Sequence, residues 1–293
     1  MRFSWSALIS LHAALKAGRN LPPLPNFLIL GASRAGTSTL HSWLGQHPDV
    51  FMSTPKELWH FNRDDRYSRG LHHYRAKFAG WQGEQVLGEC TPIYLYRNLL
   101  YRDRRHLYWS SDDGPVRRIA RDLPQAKLLV SLRHPLDRFV SQHRKNSLRG
   151  KAGVDPDLDS YARRSGASGM GYTADIENLL GLVARERLHF VVFEEWTQAP
   201  EVMLRDVCRF LGVSPDFRFD VGSKVVRTGA EGMFLSRLVS RLQGQYRNDT
   251  DAQLSRGLRD QICEDLANDI AFVEKLLGRP IDSWRAISGH CGS

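Results

Sequence analysis

Gly31-Ala32-Ser33-Arg34-Ala35-Gly36-Thr37-Ser38 sets two glycines, a cluster of hydroxyls and one arginine directly after an apolar run. A glycine turn lets backbone N–H groups curl round a phosphate, and a helix starting there adds its partial positive charge. Thr37, Ser38 and Thr39 supply hydroxyl donors at the same spot. The string comes close to G-x-x-x-x-G-K-[ST], but Thr37 stands where a P-loop kinase needs lysine, and the cation sits inside the loop as Arg34. A second candidate is Ser131-Leu132-Arg133-His134-Pro135-Leu136-Asp137-Arg138-Phe139-Val140-Ser141. Arginine offers a planar bidentate donor set and serine a neutral donor, a combination that suits a phosphate monoester. Between the two, Ser53-Thr54-Pro55-Lys56-Glu57-Leu58-Trp59-His60-Phe61 gathers three ionisable side chains, Lys56, Glu57 and His60. Read alone, Glu57 is a solvated carboxylate and His60 a core histidine beside Trp59 and Phe61.

The flanking periodicity says what must hold these residues. Residues 26–30 form an apolar run of strand length that stops at Gly31, and 37–44 takes up helical spacing with Leu40, Trp43 and Leu44 on one face. The same order recurs: a short strand near 86–89, a helix over 116–122, an uninterrupted apolar strand over 126–132, and a helix over 136–147. A helix over 174–185, a strand over 188–193, a helix over 200–211 closed by Gly212, and one or two helices over 255–277 complete the set. Alternating strands and helices imply an α/β fold with a P-loop-like, mostly parallel sheet and helices on both faces, in a single domain. Ligands of open α/β sheets bind at the carboxyl ends of strands, where both phosphate motifs fall.

These segments resemble the PAPS-dependent sulfotransferase family, bacterial soluble type, and within it the glycan and heparan-sulfate-type enzymes. The loop at 31–39 is similar to the family's 5′-phosphosulfate loop, with Arg34 in place of the usual lysine. The resemblance gives Arg34, Ala35, Gly36, Thr37, Ser38 and Thr39 that role. R-x-P-x-x-R-x-x-S, with Arg133 and Ser141 eight positions apart, resembles the 3′-phosphate motif. The Lys56-Glu57 segment resembles the stretch in which a glutamate takes the acceptor proton. It implies Glu57 as general base, Lys56 countering charge on the transferring group, and His60 as the alternative base. Gly88-Glu89-Cys90-Thr91-Pro92-Ile93-Tyr94-Leu95 looks like a stretch near the acceptor, and residues 223–229, with Lys224 and Arg227, like the loop that covers the donor. The resemblance implies transfer of a sulfuryl group from PAPS to a hydroxyl of a sugar, glycolipid or natural product, with PAP released. It calls for no metal.

Composition fits that reading. The chain has 293 residues, 42% hydrophobic and 25% charged, which is globular and neither fibrous nor low-complexity. A net charge of +9 favours polyanionic partners, and a nucleotide donor accounts for part of it, so no nucleic acid is required. The four cysteines show neither C-x-x-C pairs nor zinc spacing, and a cytoplasmic enzyme is expected. Residues 1–25 read as an amphipathic helix and Pro-rich linker, too short and broken to span a membrane, with peripheral membrane contact left open. The catalytic domain is expected over 26–293. A P-loop kinase is the alternative, and it lacks its lysine and a magnesium carboxylate. A non-catalytic polyanion-binding protein would tolerate loss of Glu57.

Overall fold

The computed structural model describes residues 22–97, 114–148, 157–166, 169, 171–222 and 254–289. In chain order the first elements are β1 (Phe27–Gly31), α1 (Thr37–Leu44), β2 (Val50–Met52), α2 (Asp64–Tyr67), α3 (Gly70–Arg75) and β3 (Val86–Cys90). They are followed by α4 (Pro115–Asp122), β4 (Lys127–Leu132), α5 (Pro135–Leu148), α6 (Leu158–Ser165) and α7 (Thr173–Leu182). The last are β5 (Leu188–Val192), α8 (Phe193–Trp196), α9 (Pro200–Leu211), α10 (Arg256–Leu277) and α11 (Asp282–Gly289).

The five strands form one sheet in the order β2-β3-β1-β4-β5, every pairing parallel. β1 lies at its centre, with Phe27 in register with Gly88 on one side and Lys127 on the other. That position explains why β1 reads as an unbroken apolar run, since Phe27 through Leu30 have no exposed surface at all. Side chains alternate between the faces. Leu28 and Leu30 join Leu128, Val130 and Leu132 in one core, which α4, α5, α7 and α10 cover. Phe27, Ile29 and Leu129 join a second core, covered by Leu40, Trp43 and Leu44 of α1 and by Met203, Leu204 and Val207 of α9. The sheet is thus buried on both faces, as the alternating pattern requires.

Several elements differ from expectation. β2 is a three-residue edge strand, too short to show a period of two. α7 ends at Leu182, and Arg185–Arg187 forms a separate 3-10 turn before β5. Residues 256–277 make one continuous helix. Among the described residues, no helix is long and apolar enough to cross a membrane. Cys90 and Cys208 are free and buried, whereas Cys263 is disulfide-bonded. Residues 1–21 of the expected N-terminal helix and linker lie outside the described residues, as do Lys224 and Arg227.

Candidate active site

Parallel strands leave all their carboxyl ends at one edge. There the segments after β1, β2, β3, β4 and β5 meet. The turn after β1 is tied down from three sides. Ala32 N donates to Ser131 O (2.8 Å), Ser33 N to the Tyr96 hydroxyl (3.0 Å), and the Ser131 hydroxyl to Ala35 O (2.6 Å). Arg34 and Gly36 adopt left-handed backbone, φ 71° and 76°. At Gly36 a Cβ would also lie 2.3 Å from Cζ2 of Trp196, so only glycine fits on both counts. Gly36 caps α1, and the N–H groups of Gly36, Thr37 and Ser38 meet no acceptor among the described residues. Orphan amides at a helix start with no carboxylate in the first turn make an anion cradle.

The two phosphate motifs touch. Arg34 Nε donates to Ser141 Oγ (3.0 Å) across 107 residues, and Arg133 Nη1 donates to Arg34 O (3.1 Å). Arg133 is 4% exposed, its guanidinium 4.8 Å from the centroid of Phe193, and its backbone N–H and C=O both engage the Tyr172 hydroxyl (3.1 and 2.7 Å). The next residue is held by Glu194, which accepts from His134 N (3.0 Å) and from Trp284 Nε1 of α11 (2.8 Å). Burial pushes the Glu194 carboxyl up to about 7 against the pull of Arg133, and burial beside Arg133 and Arg259 pushes His134 down to about 3. Arg138 is buried in a sandwich, its guanidinium 4.6 Å from the Tyr172 ring and 5.5 Å from the Tyr96 ring. It also donates to the hydroxyl of Tyr96, which takes the Ser33 amide.

The segment after β2 carries the candidate base. Glu57 N donates to Cys90 O (3.0 Å), and the Glu57 carboxylate pairs with Lys56 Nζ at 2.7 Å, the side chains 38% and 16% exposed. Glu57 thus keeps solvent access, with the Lys56 cation beside it. Among the described residues the non-glycine positive φ values fall at Arg34, Glu57 (65°) and Trp59 (58°), all in these two loops. Backbone strain of that kind concentrates at functional sites.

His60 lies elsewhere. It is 2% exposed, stacked on Tyr74 (centroids 4.3 Å apart, planes at 12°) and edge-on to Phe61, and burial lowers it to about 4 in spite of Asp122. The structure thus brings Lys56 and Glu57 together and sets His60 in the core.

Among the described residues Glu89 is a carboxylate with no exposed surface, and the sequence marks it only as part of the Gly88–Leu95 stretch. It accepts from the hydroxyls of Tyr74, Thr91 (2.7 Å) and Tyr94 (2.8 Å), and burial raises it while those hydrogen bonds pull it back. The Tyr94 hydroxyl in turn accepts from His60 N (2.9 Å) and Phe61 N (3.3 Å). Glu89 thus anchors, through Tyr94, the segment that carries Glu57.

A family model described as the sulfotransferase domain matches residues 24–228. Among curated proteins, the chain is 24% identical over 289 residues to the bifunctional heparan sulfate N-deacetylase/N-sulfotransferase 4 of Mus musculus, covering 89% of this chain and 31% of that protein. It is 29% identical over 123 residues to the membrane-associated sulfotransferase kil1 of Dictyostelium discoideum, covering 41% of this chain and 22% of that protein. The chain therefore spans less than a third of the length of these relatives. Among solved structures, a sulfotransferase from Alicyclobacillus acidocaldarius superposes with a TM-score of 0.64 at 26% identity, over 89% of this chain and 98% of that one.

Proposed function

Because the chain belongs to the sulfotransferase domain family, we propose that it transfers a sulfuryl group from PAPS to a hydroxyl or amine acceptor and releases PAP. One observation carries the reading: the Arg34–Ser141 hydrogen bond joins two phosphate-type motifs 107 residues apart into one basic cradle lined by orphan amides. A nucleotide with phosphates at both 3′ and 5′ positions matches two such anion sites, one at a helix start and one at a strand end. Kinase chemistry is not favoured, since Thr37 stands at the lysine position.

In this proposal Arg34, Ala35, Gly36, Thr37, Ser38 and Thr39 hold the 5′-phosphosulfate, through backbone amides, hydroxyls and the guanidinium. Arg133 and Ser141 hold the 3′-phosphate. PAPS supplies an activated sulfur with PAP as leaving group. Glu57 takes the proton of an acceptor hydroxyl as the new S–O bond forms and the bond to the phosphate oxygen breaks, the electron pair leaving with PAP. Lys56, 2.7 Å from Glu57, balances charge on the transferring group. Lys224 and Arg227 are proposed to cover the donor. The acceptor hydroxyl is assigned to a sugar, glycolipid or natural product, on the likeness of the Lys56-Glu57 segment to glycan-type enzymes; the relative named for heparan sulfate N-sulfotransfer is why an amine stands beside it. Cytoplasmic placement is carried with the proposal, although the disulfide at Cys263 speaks for an oxidising compartment; thiol titration of the native protein decides between the two.

Calorimetric titration with PAP, against ADP and ATP–Mg, tests the donor assignment. Micromolar PAP binding that collapses in Arg133→Ala, with ATP–Mg much weaker, is expected. ATP–Mg binding without PAP binding would sink it.

A further inference from the structure

Neither Trp196 nor Ser131 is among the residues assigned to hold the donor, yet both are bonded into the back of the cradle. The indole N–H of Trp196 can only donate, and it lies 3.1 Å from Ser131 Oγ. Ser131 must therefore accept there, which leaves its own proton for Ala35 O at 2.6 Å. The direction of the chain is fixed: Trp196 to Ser131 to the Ala35 carbonyl. In a trans peptide the carbonyl and the next N–H point opposite ways. Pulling Ala35 O inward onto Ser131 turns Gly36 N–H outward, the first of the amides without an acceptor.

The indole also backs the turn directly. Its ring lies against Gly36, it is edge-on to Trp43 (5.6 Å) and Phe193 (5.1 Å), and Phe193 carries the Arg133 guanidinium on its face. Both Ser131, with no exposed surface, and Trp196, at 4%, are closed to solvent. No water competes for these bonds, so each holds its geometry firmly.

We propose that Trp196 is a positioning residue for the donor: acting through Ser131, it orients the Ala35–Gly36 peptide so that its N–H faces the 5′-phosphate. The assignment rests on the PAPS reading above.

Binding measured with two nucleotides tests it. PAP carries the 5′-phosphate and 3′-AMP does not, so a defect in this peptide affects only the first. Trp196→Phe keeps an aromatic ring and removes the N–H, and Ser131→Ala removes the bond to the loop. Each is expected to weaken PAP by about tenfold while leaving 3′-AMP within about twofold, the scale of one lost hydrogen bond to a charged ligand. The double variant should bind PAP no more weakly than Ser131→Ala alone, because the two act in series. Unchanged PAP affinity in both folded variants overturns the proposal. So does an equal loss for both nucleotides, which would mark a merely structural role. A wild-type protein that binds no PAP rejects the sulfotransferase reading, and this assignment with it.

Discussion

Tyr94→Phe removes one oxygen and should cost far more than its size suggests. The Tyr94 ring is fully buried and sits edge-on to Phe61 at 5.6 Å, so phenylalanine keeps every apolar contact and opens almost no cavity. What disappears is a hydroxyl with three partners: it donates to Glu89 at 2.8 Å and accepts from the amides of His60 at 2.9 Å and Phe61 at 3.3 Å. A hydrogen bond to a charged group contributes roughly 1.5–3 kcal/mol, and a buried donor left without a partner costs about 1–3 kcal/mol. Glu89 keeps Thr91 and Tyr74, so that loss falls at the low end, and the long bond to Phe61 adds little. The sum is on the order of 3 kcal/mol, a large share of the roughly 5–15 kcal/mol that holds a domain together. Urea unfolding should show the midpoint falling by about 1 M with an unchanged slope, given a slope of roughly 3 kcal/mol/M. PAP affinity should stay near wild type, since Tyr94 touches neither phosphate motif. A loss below about 1 kcal/mol would refute the idea that the Glu89–Tyr94 pair anchors the 57–61 segment.

Two further predictions concern ionisable groups. Glu57→Gln should lower turnover about 10²–10⁴-fold with PAP affinity unchanged, read by calorimetry and PAP release; near-normal turnover would remove Glu57 as base. Glu194, raised to about 7 from an ordinary 4.5, binds its proton more tightly in the folded state. Its contribution to stability is therefore complete below about pH 4.5 and is lost as pH rises through 7, by on the order of 3 kcal/mol. Urea unfolding at pH 5 and pH 8 should show that decline in the wild type and a flatter response in Glu194→Gln. Equal slopes in both proteins would contradict the assignment.

Local chemistry was enough for the frame. An apolar run ending in a glycine turn, then apolar residues at helical spacing, specifies strand, turn and helix without any distant partner, and β1 and α1 fall where that pattern puts them. β4 is legible for a similar reason: a strand buried on both faces is mostly apolar along its length. Short elements escape. β2 has three residues and α8 four, and at that length periodicity carries no information, so contacts with neighbours decide their state.

The same division runs through the site. The sequence offered Arg34 in a glycine turn as a phosphate-type donor by residue type and spacing, and Arg133 and Ser141 by their resemblance to a 3′-phosphate motif. It favoured Glu57 over His60 as base on resemblance alone. What it could not show is where they lie: His60 stacks on Tyr74 in the core, and Glu57 stays partly exposed beside Lys56. Nor could it single out Glu89, Trp196 or Ser131, whose partners lie up to 96 residues away in the chain. Side-chain type fixes what a group can donate or accept, whereas only the sheet order, with β1 between β3 and β4, sets which groups share the carboxyl edge.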